Sequence, residues 1–112
     1  MAGSNLYSGT LDLLVLRALV WGPLHGYGIG RWIRDSSSEV LKVEEGALYP
    51  ALHRLEKRGW LESEWGMTER NRQAKFYSLS ELGRQQLQAE TARWNEHAGA
   101  VMAVLAAERG GA

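Results

Sequence analysis

The last third of the chain constrains the fold most. From Ser80, which can cap a helix, to about Ala107, the residues Leu87, Thr91, Trp94, Ala98, Val101 and Leu105 keep a three-or-four spacing along one face. A helix of about 28 residues is ~42 Å long at 1.5 Å per residue. The rest of a 112-residue chain is too small to cover it. The stripe therefore predicts contact with another chain.

Upstream, the period is helical three times and then changes. Met1 to Gly9 is small and polar, as expected of a loose arm. Thr10 is expected to cap a helix over Leu11 to Trp21, with Leu11, Leu14, Val15, Ala18 and Leu19 inward and Gly22-Pro23 as its stop. A second helix is expected from about Leu24 to Ser36. Its Gly26, Gly28 and Gly30 admit a close neighbour. A third spans Glu45 to Arg58, with Leu48, Ala51, Leu52 and Leu55 inward and Pro50 about one turn in, where proline does little harm. From Trp60 to Trp65 the period drops to two. Lys75 to Leu79 reads as a second strand, and the polar run Gly66 to Ala74 joins the two as a hairpin. Three helices and a two-stranded wing make a winged helix-turn-helix. The predicted fold class is therefore mainly α with a small β-hairpin, extended by the long C-terminal helix.

Several function classes drop out. His25, His53 and His97 lie far apart, without metal-ligand spacing, and there is no cysteine, so no metal and no cofactor is expected. Ser36-Ser37-Ser38 lacks a nucleophile-elbow context, and Gly26-Tyr27-Gly28-Ile29-Gly30 follows a helix and lacks the G-x-G-x-x-G spacing of a phosphate loop. No catalytic residue and no enzyme activity are predicted. The longest wholly apolar runs, Leu13 to Leu16 and Ala18 to Trp21, are four residues each, against roughly 20 for a membrane span. A soluble cytoplasmic protein without membrane contact is expected.

The 13 basic and 13 acidic residues cancel, but they are not evenly spread. Residues 42–59 carry a net +1, residues 60–69 a net −3 and residues 70–84 a net +3. Positive charge thus collects on the third helix and in the hairpin tip, the two elements that a winged helix-turn-helix applies to DNA. On the third helix Tyr49, His53 and Lys57 share a face at i, i+4 and i+8, opposite the leucines, and Arg54 lies beside them within reach of a guanine edge or a phosphate. Trp94, in the middle of the last helix, either packs at an interface or, with its copy in a second subunit, lines a pocket for a flat aromatic ligand.

The runs L-D-L-L-V-L-R-A-L (Leu11 to Leu19), G-P-L-H-G-Y (Gly22 to Tyr27) and V-E-E-G-A-L-Y-P-A-L-H-R-L-E-K-R-G-W (Val43 to Trp60) resemble the PadR family of bacterial transcription regulators. So do the wing segments E-W-G (Glu64 to Gly66) and N-R-Q-A-K-F-Y-S-L (Asn71 to Leu79), and the helix opening S-E-L-G-R (Ser80 to Arg84). The single C-terminal helix is similar to that of the short PadR subfamily. The resemblance implies a homodimeric repressor that binds double-stranded DNA at a palindromic operator. Its implied DNA-contacting residues are Tyr27, Ala47, Tyr49, Pro50, His53, Arg54 and Lys57, with Arg70, Arg72 and Lys75 on the wing. Ala47 stands where many relatives carry Ser or Thr, which removes a hydroxyl contact there. The implied dimer interface is Leu11, Leu14, Val15, Leu87, Trp94, Ala98, Val101 and Leu105. A small aromatic effector would sit at Trp94, Leu14, Val15 and Ala98.

The resulting organisation is an N-terminal arm at residues 1–9, a DNA-binding domain at 10–79, a dimerisation helix at 80–107 and a frayed tail at 108–112. The neutral balance and the acidic strand at Glu62 and Glu64 also fit a different class, a winged-helix module that binds proteins and no DNA.

Overall fold

The computed structural model describes residues 8–110. Helix α1 (Ser8–Ala18) is followed by a short strand β1 (Leu24–His25), α2 (Gly26–Ser36), α3 (Glu45–Lys57), β2 (Leu61–Met67), β3 (Gln73–Leu79) and α4 (Glu81–Ala106). The three strands form one antiparallel sheet in the order β1-β3-β2. Leu61 pairs with Leu79 at the base of the wing and Met67 with Gln73 near its tip.

Helix α1 departs from expectation at both ends. It is already helical at Ser8 and Gly9, so Thr10 is not its cap; the rest of the expected arm, residues 1–7, lies outside the described residues. It stops at Ala18, and the chain leaves through Gly22, whose φ of 145° only glycine adopts without strain. That turn aims Leu24 and His25 at β3, where they pair with Tyr77 and Phe76. The expected second helix consequently begins at Gly26 and not at Leu24.

The core lies where α1, α2, α3 and the sheet meet. Leu16, Leu19, Ile29, Leu52, Leu55, Leu61 and Val15 are the largest fully buried side chains. The expected inward stripe of α3, Leu48, Ala51, Leu52 and Leu55, is buried throughout. In α1 the buried arc is wider than the amphipathic stripe, because α2, α3 and α4 all pack on this helix. Leu16 is therefore fully buried as well, whereas Leu14 is only partly covered. Leu11 and Val15, expected at a surface between subunits, are 4 % and 0 % exposed inside the subunit's own core. Neither can serve as an interface residue, and Val15 cannot touch an effector.

Helix α4 opens with Ser80, whose hydroxyl accepts from the Gly83 N–H and donates to the Gly59 carbonyl. Only its first turns rest on the body: Gly83 is buried and Leu87 packs against the core. As far as His97 the helix runs beside the start of α1; beyond that it stands clear, and the molecule measures 65 × 28 × 22 Å. Trp94, Val101, Met102, Val104 and Leu105 are exposed, Leu105 at 80 %.

Candidate nucleic-acid interface

The candidate interface comprises α2, α3 and the wing tip. Helix α2 is capped by an unusual residue: the His25 Nδ1 accepts from the Gly28 N–H at 3.2 Å. The His25 ring stacks flat on Phe76 of β3, with centroids 5.2 Å apart, and meets Tyr27 edge-on. The start of α2 is thereby fixed to the sheet, and Tyr27 is presented to solvent at 64 % exposure. Gly26 is buried against the Tyr49 ring, which occupies the space that a Cβ would need. Tyr49 of α3 and Tyr27 of α2 so flank the same helix N-terminus, where N–H groups and the helix dipole favour a phosphate.

Along α3, Tyr49, Pro50, His53, Lys57 and Ala47 are all exposed. The helix begins at Glu45, so Pro50 lies just past the first turn and takes from the Gly46 carbonyl the N–H it would otherwise accept from. Gly46 is exposed, and water can replace that bond.

Arg54 and Lys75 differ from expectation. Arg54 does not point outward: its Nη2 donates to Asp12 Oδ1 of α1 at 2.6 Å, and Arg58 approaches the other Asp12 oxygen at 3.9 Å. Among the described residues Asp12 is the buried charged one, and Arg54 is held on it as an ion pair instead of reaching outward from α3. Lys75 sits 3.2 Å from Glu56 Oε1 of α3, and the Ser63 hydroxyl of β2 donates to Glu56 Oε2 at 2.5 Å. Glu56 thus ties both wing strands to α3. Sequence spacing gave no hint of Asp12 or Glu56, because their partners come from other elements.

The hydrogen bond from Ser63, aided by the Lys75 ammonium and opposed by burial, holds the Glu56 carboxyl below its ordinary 4.5. Since this carboxyl titrates lower folded than unfolded, its contribution to stability is complete above 4.5 and is lost as pH falls through the lowered value. A carboxyl-carbon NMR titration should place the Glu56 midpoint below 4.5, and Ser63→Ala should move it upward. An unchanged midpoint in the variant would remove Ser63 as the cause.

The wing tip is tighter than expected. Thr68 to Arg72 forms a five-residue loop between the strands, with the Thr68 hydroxyl accepting from the Arg70 and Arg72 N–H groups and Asn71 in a left-handed turn at φ 62°. Gly66, Met67, Gln73 and Ala74, assigned to the tip from sequence, extend the strands. Arg70 and Arg72 project from this loop, exposed and outside every ion pair among the described residues. Among the basic residues expected at DNA, Arg70 and Arg72 at the tip and Lys57 on α3 are therefore left free of ion pairs among the described residues.

A second feature lies between α1 and α4. A groove of about 240 Å³ is lined by Gly9, Thr10, Leu13, Glu90, Arg93, Trp94 and His97. Of the residues expected around an effector, Trp94 lines it, tilted on His97 at 6.0 Å; Leu14, Val15 and Ala98 do not. Leu13 replaces them because the helix turns its neighbours into the core. Among the described residues there is no cluster of metal-ligating side chains, and no helix is long and apolar enough to cross a membrane.

A winged helix with an aromatic and basic helix face and a basic wing tip has the elements of a DNA-binding regulator. The model of the PadR-like family of transcriptional regulators matches residues 15–89, and the chain belongs to that family. It is a transcriptional regulator, not an enzyme. It is 31 % identical to a PadR family transcriptional regulator from Eggerthella lenta, covering 89 % of this chain and 85 % of that one at a TM-score of 0.75. A transcriptional regulator from Clostridium thermocellum is 27 % identical, with 83 % of this chain and 90 % of that one covered and a TM-score of 0.75. Uncharacterized protein X of Lysinibacillus sphaericus is 28 % identical over 86 % of this chain and 88 % of its own length.

Proposed function

We propose that the chain is a cytoplasmic homodimeric repressor that binds a palindromic operator. Residues 8–79 act as the DNA-binding domain and residues 80–107 as the dimerisation helix. The observation that carries the DNA contact is the set of side chains left free: Tyr49, His53 and Lys57 on α3, with Arg70 and Arg72 at the wing tip. In this reading α3 lies in the major groove, the wing tip follows the backbone, and Tyr27 and Tyr49 meet phosphate or sugar. The dimer is supported by the apolar Trp94, Val101 and Leu105, which stay exposed on the outward stretch of α4. A planar aromatic effector fits the groove at Trp94 and Leu13, and it would release DNA by binding the DNA-incompetent arrangement more tightly.

Mobility shifts over a range of salt test the DNA contact. The double variant Arg70→Ala/Arg72→Ala removes four cations from a dimer. It should weaken binding to all sequences and lower the slope of log K against log salt by about 3 to 4, at roughly 0.9 per phosphate contact. An unaltered slope would place the wing tip off the DNA.

A further inference from the structure

Helix α3 is held from both flanks by ion pairs. Arg54 and Glu56 are two residues apart, about 200° round the helix at 3.6 residues per turn. The smaller arc between them, about 160° wide, contains Tyr49, Gly46, Pro50, His53 and Lys57, all exposed. The larger arc contains the buried Leu48, Ala51, Leu52 and Leu55. On one border Arg54 reaches Asp12 of α1 at 2.6 Å, and on the other Glu56 takes Ser63 of β2 and Lys75 of β3.

Leucines alone define the rotation of a helix loosely, because an apolar arc tolerates repacking with side chains of similar volume. A hydrogen bond is directional, and one on each flank, Arg54 to Asp12 and Ser63 to Glu56, with Lys75 beside the second, leaves little freedom to roll. The two pairs also face different bodies. Asp12 sits on α1, next to the α1–α4 groove, whereas Ser63 and Lys75 belong to the wing. A hollow of about 410 Å³ beside the first pair is lined by Asp12, Arg54, Arg58, Trp60, Gly9 and Glu90, and it shares Gly9 and Glu90 with the groove at Trp94.

We propose that the Asp12–Arg54 and Glu56–Lys75 pairs are positioning residues that set the roll of α3 on DNA. They determine sequence specificity without touching a base or a phosphate. The inference rests on the reading of α3 as the helix that enters the major groove. A base-edge hydrogen bond weakens steeply once its angle departs from linear, so a small roll of α3 degrades base contacts. Phosphate contacts from flexible cations absorb the same roll.

The test uses two charge-neutral double variants of the full-length chain, Asp12→Asn/Arg54→Gln and Glu56→Gln/Lys75→Gln. Each removes one pair and leaves the net charge unchanged. Affinity is measured for the operator obtained by selection and for a scrambled duplex, over a range of salt. In each variant the ratio of the two affinities should fall at least tenfold. Affinity for the scrambled duplex should stay within threefold, and its salt slope should not change. Arg54→Lys, which keeps a cation within reach of Asp12, should retain a ratio within threefold of the original protein. A protein that is merely destabilised loses both affinities by the same factor, which would overturn the inference. A reduced salt slope would overturn it too, because Arg54 or Lys75 would then be touching phosphate. If the unaltered protein prefers a sequence and both variants keep that preference, the inference alone fails. If the unaltered protein prefers none, the reading of α3 fails and the inference with it.

Discussion

Replacing Val101 and Leu105 together by aspartate should convert the protein to a monomer and weaken operator binding by about a hundredfold or more. Both side chains lie on the outward stretch of α4, 43 % and 80 % exposed, so the subunit's own core loses no contact. In the proposed dimer they are buried between the two chains. Two carboxylates at such a seam must be desolvated or the seam must open, and opening is the easier course. Joining two recognition helices in one dimer raises the second half-site contact to an intramolecular event, an advantage of about 10² to 10⁴ that the monomer forgoes. Sedimentation or light scattering gives the mass, circular dichroism gives the fold, and a mobility shift gives the affinity. A variant that stays dimeric would move the interface away from this stretch of α4.

Gly83→Ala should have the largest effect on stability. At an ordinary helix position, alanine in place of glycine stabilises by about 1 kcal/mol. Gly83 is not ordinary: a Cβ there would penetrate the Trp60 backbone carbonyl and press on Leu79. That carbonyl is fixed, since it accepts from the Ser80 N–H at 3.1 Å, and so it cannot turn aside. Either α4 lifts off the base of the wing or the β2 entry shifts, and Leu87 loses its seat on the core with it. A net loss of about 2 to 3 kcal/mol is expected, from overpacking that exceeds the gain in propensity. For a chain of this size each kcal/mol moves Tm by roughly 4 to 8 °C, so a drop of about 10 to 20 °C should be seen in a thermal melt. A variant with an equal or higher Tm would show that α4 does not depend on this close approach.

The sequence made much of the architecture legible because long elements carry strong periods. The stripe of α3 is present in the spacing of Leu48, Leu52 and Leu55, and the outward face in the i, i+4, i+8 set of Tyr49, His53 and Lys57. The protruding stretch of α4 is legible for the same reason. Strand β1 was not, since two residues have no period; it exists because β3 offers a free edge to Leu24 and His25. The five-residue wing loop also escaped, although Thr68 and Asn71 are the residues that such a turn uses. Within the site, exposure of a cation could not be inferred from its charge. Arg54 and its partner Asp12 are 42 positions apart, and only the packing of α1 on α3 brings them together. Lys75 is likewise neutralised by a carboxylate on another element.

The zero net charge consequently has a more specific meaning than the segment totals suggested. Two of the cations assigned to DNA are consumed within the fold, leaving Lys57, Arg70 and Arg72 with the tyrosines and His53. So few free cations give weak non-specific attraction, and in the proposed dimer affinity comes from two half-sites read at once. Selection from random duplex DNA at moderate salt tests this most directly. The expected result is enrichment of an inverted repeat whose half-sites lie about one helical turn, 10 to 10.5 base pairs, or a multiple of it apart. A pool that stays random, or one enriched for an unpaired half-site, would contradict it.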